Sequence, residues 1–357
     1  MEKVKLKWKN IGHLLEDAVA KHGEKPFLIF EGETRSYIDI EKKVNRLANA
    51  LESLGMKKGD KVGMMLPNGF DFPIAWLTMA KTGAIMVPIN IAYTANELAY
   101  VINDSEASYL IIDHDFLPVL EAARKDLQGL NEVIVIGTVE SSHIAYEKLV
   151  STASDQYATG DINEDDLINI QYTSGTTGFP KGCMLSHRYW MLMAKFSVDW
   201  MGGQIRPTDV HLTAQPFYYM DPQWNVVFCM AEGIPLVIMP KFSVSEFWPT
   251  VNAHHVTYFY LIGTMPKMLM SRDPDRLETD HKVRVVTCSG IVPQLHETIE
   301  KRFGCTWRET FGMTETGWDT ATKLSDTASV GSGVIGNPIA SKEVRVVDSE
   351  DNEAVVC

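Results

Sequence analysis

With 357 residues, 45% of them hydrophobic and 22% charged, the chain has the make-up of a soluble globular protein too long for one simple core. A formal net charge of −13 argues against a protein that grips nucleic acid by its phosphates, since that affinity rests on Lys and Arg. No run is long enough to span a bilayer, the basic opening is not followed by an apolar signal core, and the five cysteines lack C-x-x-C spacing, which points to free thiols in a reducing cytoplasm.

Ile11, Leu14, Leu15, Ala18 and Val19 recur at helical spacing. A strand pair follows over 27–30 and 34–37, around the turn Glu31-Gly32-Glu33. Val44, Leu47, Ala48, Leu51 and Leu54 predict a second helix, closed by Gly55. A strand over 61–66, a helix over 72–81 ending at Gly83, and a strand over 85–89 predict a βαβ unit. Thr94 and Glu97 form a capping box opening another helix, and strands over 109–112 and 132–136 come next. The Ser-, Thr-, Ala- and Asp-rich stretch 137–166 predicts a connection between subdomains. Alternation resumes with strands over 167–172, 209–215, 235–239, 256–261, 283–287 and 306–310, with helices between them. The expected fold is α/β: two doubly wound, mostly parallel sheets with helices on both faces, in subdomains 1–166 and 167–335. The start of a third, strand-rich subdomain over 336–357 follows, with 343–348 its clearest strand.

The strand over 167–172 runs into Thr173-Ser174-Gly175-Thr176-Thr177-Gly178-Phe179-Pro180-Lys181-Gly182. Glycines let a backbone fold tightly and aim successive N–H groups at an anion, and hydroxyls add donors or metal ligands. Lys181 adds the point charge that a polyphosphate needs. The Walker pattern is excluded, because Lys181 follows Pro180 and precedes Gly182. Ser186 is placed to cap a helix starting near Arg188.

This stretch resembles the signature loop of the adenylate-forming enzymes: acyl-CoA synthetases, aryl-CoA ligases, peptide-synthetase adenylation domains and firefly luciferase. Phe311-Gly312-Met313-Thr314-Glu315 resembles the family's second nucleotide motif. The resemblance implies that Phe311 stacks on adenine, Thr314 reaches the α-phosphate, and Glu315 and Thr176 hold Mg²⁺, with Glu309 and Thr310 at the adenine edge. Cys288-Ser289-Gly290-Ile291-Val292-Pro293 resembles the turn lining the adenine and acyl pocket, and Ile291 departs from the usual Gly or Ala there. Its branched side chain implies a narrow acid pocket. Gln215-Pro216-Phe217-Tyr218-Tyr219 resembles a segment that often ends in His near the substrate carboxylate. Here Tyr219 stands in that place, and Tyr218, Tyr219 and Trp224 are candidates for the acid pocket. Gly331 to Pro338 matches the Gly-x-x-Gly-x-Pro turn that follows.

Asn90–Leu98, Phe242–Trp248 and Tyr260–Pro266 look most like crotonobetaine/carnitine-type and fatty-acid-type CoA ligases. The resemblance therefore implies an ATP-dependent acid:CoA ligase that uses ATP, Mg²⁺, coenzyme A and a small carboxylic acid, and it leaves a homodimer open. An adenylating enzyme serving a carrier protein or an amine, and a non-catalytic nucleotide-binding remnant, are the alternatives. In that family a ribose-binding Asp lies beyond the Gly-x-x-Gly-x-Pro turn, and a mobile C-terminal lid domain brings a lysine to the α-phosphate. Neither occurs in this sequence, so the expectation is a fragment or the product of a shortened gene.

Overall fold

The computed structural model describes residues 4–139, 142–173 and 180–353. In chain order the strands are β1 (Pro26–Phe30), β2 (Glu33–Ser36), β3 (Lys61–Met65), β4 (Ile85–Pro88), β5 (Tyr109–Asp113), β6 (Glu132–Ile136), β7 (Ile144–Ala145) and β8 (Leu167–Thr173). There follow β9 (Lys181–Ser186), β10 (His211–Thr213), β11 (Leu236–Ile238), β12 (Tyr258–Ile262), β13 (Val285–Ser289), β14 (Thr306–Met313), β15 (Gly317–Ala321) and β16 (Asn337–Pro338).

They form two sheets. One runs β7-β6-β5-β3-β4-β8-β9, and the other β16-β15-β14-β13-β12-β10-β11-β1-β2. Pairing is parallel through the body of each sheet and antiparallel at its hairpins, β8–β9 in the first and β1–β2 and β14–β15–β16 in the second. The sheets interleave in sequence. β1 joins β11 in the second sheet, and β8 joins β4 in the first. A boundary at residue 166 therefore does not separate one sheet from the other.

Alternation along the strands divides the core. In the first sheet Val62, Met64, Met86, Ile111 and Ile134 face one cluster while Met65, Val87, Leu110, Ile112 and Val135 face another. In the second, Leu236, Ile238, Tyr258 and Tyr260 share that first cluster while Val237, Phe259, Leu261 and Val286 face outward. The shared cluster is filled by the helices Ile11–His22, Tyr37–Ser53, Asp71–Thr82, His187–Met201 and Met220–Glu232, whose apolar residues touch both sheets. The result is helix, sheet, helix, sheet, helix in layers.

The local signals act where the sequence places them. Thr94 and Glu97 exchange the two bonds of a capping box, and the Ser186 hydroxyl accepts the Tyr189 N–H at the start of His187–Met201. Gly83 closes its helix in the left-handed conformation at φ 78°. The structure also corrects several expectations. Tyr37 is not strand but the first residue of a helix, because Ser36 and Asp39 form a second capping box. The connection 137–166 carries β7 and a short helix, Tyr146–Ser151. No strand forms over 343–348; the backbone there makes one isolated bridge, Val347 to Glu353, and Val346 is 63% exposed.

Candidate functional site

A cleft of about 350 Å³ opens where the carboxyl ends of both sheets meet. Pro88 at the end of β4 and Tyr172 and Thr173 at the end of β8 form one wall. Tyr218, Tyr219 and Asp221, after β10, form another, and Thr314, after β14, closes it. Open α/β sheets bind ligands at this end, where strands hand over to loops.

β8 and β9 pair antiparallel, with Thr173 opposite Lys181, so the two ends of the glycine-rich stretch are held side by side. The Tyr100 hydroxyl donates to the Pro180 carbonyl at 3.0 Å, and Tyr172 donates to Asp104 at 2.6 Å, which ties the hairpin to the helix Ala95–Asp104. Burial and the Asp104 carboxylate push the Tyr172 phenol far above its usual range, so it stays a donor. Lys181 is exposed at the start of β9. The expectations placed on Ser174, Gly175, Thr176, Thr177 and Gly178 fall outside the described residues.

β14 carries the second motif into a hairpin with β15. A Cβ on Gly312 would lie 2.1 Å from the Gly317 carbonyl oxygen, so only glycine permits this close approach. The approach turns Phe311 and Met313 outward, at 42% and 49% exposure, and sets Thr314 into the cleft. Glu315 is exposed, and its charge adds to burial in raising the Cys183 thiol on β9. The carboxylate therefore lies near the strand that begins with Lys181. It forms no salt bridge among the described residues, which suits it to a hard cation. The one cluster of three metal-capable side chains among the described residues, Asp113, His114 and Asp115, lies after β5, outside the cleft.

Glu309 and Thr310 stand apart from the cleft lining. The Glu309 carboxylate accepts the N–H of Gly290 at 2.7 Å and of Ile291 at 2.8 Å. It clamps the turn after β13, where Gly290 has φ 91°. Burial raises its pKa, and the two N–H bonds oppose that shift. Thr310 is buried, its hydroxyl within 3.3 Å of the Ser289 hydroxyl. Ile291 does not wall the cleft; it packs in the outer cluster of the second sheet. Trp224 is likewise in the core and outside the cleft lining, packed against His211 and Phe228 at tilted angles and edge-to-face against Tyr260 and Trp318. Helical spacing from Tyr219 places Trp224 on the inward face, which the sequence pattern did not distinguish from the cleft side.

Residues that the motif reading passed over hold the walls together. Asn169 donates to Gln223 at 2.8 Å, Gln223 donates to Gln171 and to the Phe217 carbonyl, and Gln171 donates to the Tyr218 carbonyl at 2.6 Å. Asn68 adds bonds to the carbonyls of Gln215 and Met239 and accepts the Phe217 N–H. The available signal was polarity inside an apolar strand, since Asn169 and Gln171 interrupt Leu167–Tyr172 and both are buried. Asp221 was also missed. Burial raises its pKa to about 6, and its own backbone N–H and the nearby Tyr260 hydroxyl oppose the rise.

Together the layers and the cleft define an α/β protein with a cleft at the carboxyl ends of two interleaved sheets. Residues 15–356 match the family described as AMP-binding enzyme, and the chain belongs to that family. It is 32% identical over 320 residues to the crotonobetaine/carnitine–CoA ligase of Salmonella choleraesuis, covering 86% of this chain and 61% of that protein. The Salmonella typhi protein of the same description is 31% identical over 320 residues, with the same coverage. The chain thus spans about 61% of the length of these curated relatives. Among solved structures, the anthranilate CoA ligase AuaEII in complex with anthranoyl-AMP superposes with a TM-score of 0.90 at 22% identity, over 99% of this chain and 68% of that one. The N-terminal domain of FACL13 from Mycobacterium tuberculosis superposes with a TM-score of 0.86 at 23% identity, over 97% of this chain and 86% of that one. At these identities the superpositions speak for the fold. Among the described residues no helix is long and apolar enough to cross a membrane.

Proposed function

We propose that this chain holds the ATP and acid sites of an AMP-forming acid:CoA ligase. The observation that carries this is the meeting of Thr173, at the end of β8, and Thr314, beyond β14, in one cleft. Two motifs distant in sequence converge there, as an enzyme joining a carboxylate to a nucleotide requires. The CoA-ligase names of the curated relatives support the same reading.

In the proposed reaction a carboxylate oxygen attacks the α-phosphorus of ATP and pyrophosphate leaves. The thiolate sulfur of coenzyme A then attacks the acyl carbon, and AMP leaves with the electron pair of the broken C–O bond. No protein nucleophile is needed, so the residues act by position and charge. Thr173, Lys181 and the stretch between them hold the β- and γ-phosphates, and Thr314 donates to the α-phosphate as its charge grows. Phe311, whose ring is exposed, stacks on adenine. Glu315 with Thr176 would hold Mg²⁺, which neutralises phosphate charge. Tyr218 and Tyr219 face the acid. Gly290, Glu309 and Thr310 act on the nucleotide through the turn they brace.

We further propose a cytoplasmic location, supported by free Cys183, Cys229, Cys288 and Cys305. Pairing of two copies is proposed as well, supported by the exposure of Val334, Ile335, Val344, Val346 and Val347 along one stretch, and sedimentation reads it. The test of the reaction is ATP–pyrophosphate exchange across a panel of acids, crotonobetaine and carnitine among them, followed by AMP release with CoA. It is run on this chain and on a form extended by a C-terminal domain of the kind those relatives carry. Acid-dependent exchange supports the proposal. ATP binding with no exchange from either form, under any acid, refutes it.

A further inference from the structure

A second concavity carries a charge opposite to that of the chain as a whole. It is a hollow of about 400 Å³ between the end of β2, the helix Tyr37–Ser53 and the helix Tyr146–Ser151. β2 is the outer strand of one sheet, and Tyr146–Ser151 follows β7, the outer strand of the other. None of the residues lining the hollow lines the cleft, so the site stands apart from the ligase reading.

Four cations, Arg35, Lys42, Lys43 and Arg46, line the hollow against one carboxylate, Asp39. The chain has 46 acidic residues to 33 basic ones, so general basicity does not explain this grouping. Lys42, Lys43 and Arg46 stand on one face of their helix, at spacings of three and four residues where like charges repel. Among the described residues neither lysine has an ion pair or a hydrogen bond. Asp39 pairs with none of the four, because its carboxylate accepts the Ser36 N–H at 3.1 Å and the Ser36 hydroxyl at 2.8 Å. Asp71 feels the Lys43 charge, and Asp155 reaches Arg46 only at 3.8 Å.

Arg35 is held in place. One guanidinium nitrogen donates to Glu33 at 2.5 Å, and its central carbon lies 5.4 Å from the centre of the Phe70 ring. Its Nε is buried and has no acceptor, which is costly for an N–H of a charged group. Tyr146 and Val150 add an apolar wall, against which charge–charge attraction is stronger than in open water.

We infer that this hollow is an anion site, separate from the cleft, for a phosphoryl group carrying two or more negative charges. Two arginine forks and two lysine point charges suit the spread of oxygens on such a group. A lone carboxylate would leave most of the positive charge unmet. The buried Arg35 Nε donates to a phosphoryl oxygen, and Lys42 and Lys43 neutralise the rest. Bound there, the anion bridges Tyr37–Ser53 to Tyr146–Ser151 and relieves the repulsion along the helix face. A free phosphate and a phosphomonoester lipid headgroup carry the same chemistry, and the test separates these sources.

Calorimetric titration of this chain with inorganic pyrophosphate, at fixed ionic strength and without divalent cations, reads the free form. Flotation with phosphatidylcholine vesicles containing phosphatidic acid reads the lipid form. Lys42→Glu combined with Lys43→Glu, both at exposed positions, should weaken binding by roughly tenfold or more. Arg35→Gln, which removes the buried donor, should weaken it by about threefold or more. Lys125→Glu combined with Lys282→Glu makes the same change in net charge at exposed positions outside the hollow, and should change binding by less than about twofold. If the cleft also takes pyrophosphate, the isotherm has two components, and Lys181→Ala weakens only the other one. Pyrophosphate binding lost in the Lys42/Lys43 variant assigns the free form, and vesicle binding alone, lost in the same variant, assigns the lipid form. Binding of neither probe, equal loss in the two charge-reversed pairs, or loss on Lys181→Ala with none in the Lys42/Lys43 variant overturns the inference.

Discussion

Replacing Glu309 tests whether the turn after β13 is braced by its carboxylate. Its carboxylate accepts two backbone N–H groups, from Gly290 and Ile291, at 2.7 and 2.8 Å. Hydrogen bonds to a charged group contribute roughly 1.5–3 kcal/mol each. Burial already disfavours the charged form, as the raised pKa shows, and offsets part of that gain. Glu309→Ala should therefore cost about 2–4 kcal/mol, since it leaves the buried Ile291 N–H unpaired and hands the part-buried Gly290 N–H to water. Glu309→Gln keeps one acceptor oxygen and turns an NH₂ toward the other donor, so about 1–3 kcal/mol is expected. Urea denaturation with an unchanged slope measures both, and titration with ATP measures the site. The nucleotide affinity should fall in step with the stability, because the turn at Gly290 moves as it is released. Two outcomes would refute this. One is an alanine variant within about 0.5 kcal/mol of wild type, the scatter expected of a neutral surface change. The other is a glutamine variant of full stability that no longer binds ATP, which would put the carboxylate on the nucleotide.

Acid should unfold the protein through two buried imidazoles. His187 and His211 are both held down to about 4 by burial, so the unfolded chain binds more protons between that value and about 6.5. Their contribution is complete above pH 6.5 and is lost as pH falls toward 4, by about 3 kcal/mol each. His211→Phe should flatten the pH dependence of the denaturation midpoint over that window, and an unchanged slope would remove His211 from the account. Gly312→Ala should abolish the β14–β15 turn and with it ATP binding, because the new Cβ meets a backbone carbonyl at 2.1 Å; near-normal ATP affinity would show that the strands part at little cost. Glu315→Gln should leave ATP binding within a few-fold and nearly eliminate pyrophosphate exchange, and undiminished exchange would take Glu315 out of the metal site.

Periodicity and capping read local structure well because both are local. Thr94 with Glu97 and Ser186 capped the helices expected of them, and the strand cores over 61–65, 85–88, 109–113 and 167–173 lie close to the expected spans. Pairing is not local. Nothing within Phe27–Phe30 says that its partner is Leu236–Ile238, so the interleaving of the two sheets was invisible. Val344 and Val346 alternate with charged residues as a strand would, yet alternation without a neighbouring edge makes no ladder, and they stay exposed. The same limit governs the site. The motifs stand out because their chemistry is written in order, whereas composition does not tell an aromatic or aliphatic core face, where Trp224 and Ile291 lie, from a pocket wall.

The interleaving explains why one cleft serves two sheets. β8 delivers the glycine-rich hairpin from the first sheet, while β10 and Met220–Glu232 deliver the tyrosines and Asp221 from the second. Nothing in either sheet alone fixes the distance between them. The buried amides do: Gln171 and Asn169 on β8 bond through Gln223 to the segment carrying Tyr218, and Asn68, after β3, holds the same segment from the other side. Amides suit this work because each offers donors and an acceptor at fixed angles, and a satisfied buried network admits few alternative geometries. An apolar seam of the same size could slide by a side chain's width without losing its contacts. The proposed reaction, which would join a carboxylate to a phosphorus across this cleft, would not tolerate that movement, and polar residues at the seam, costly as they are to bury, serve that requirement.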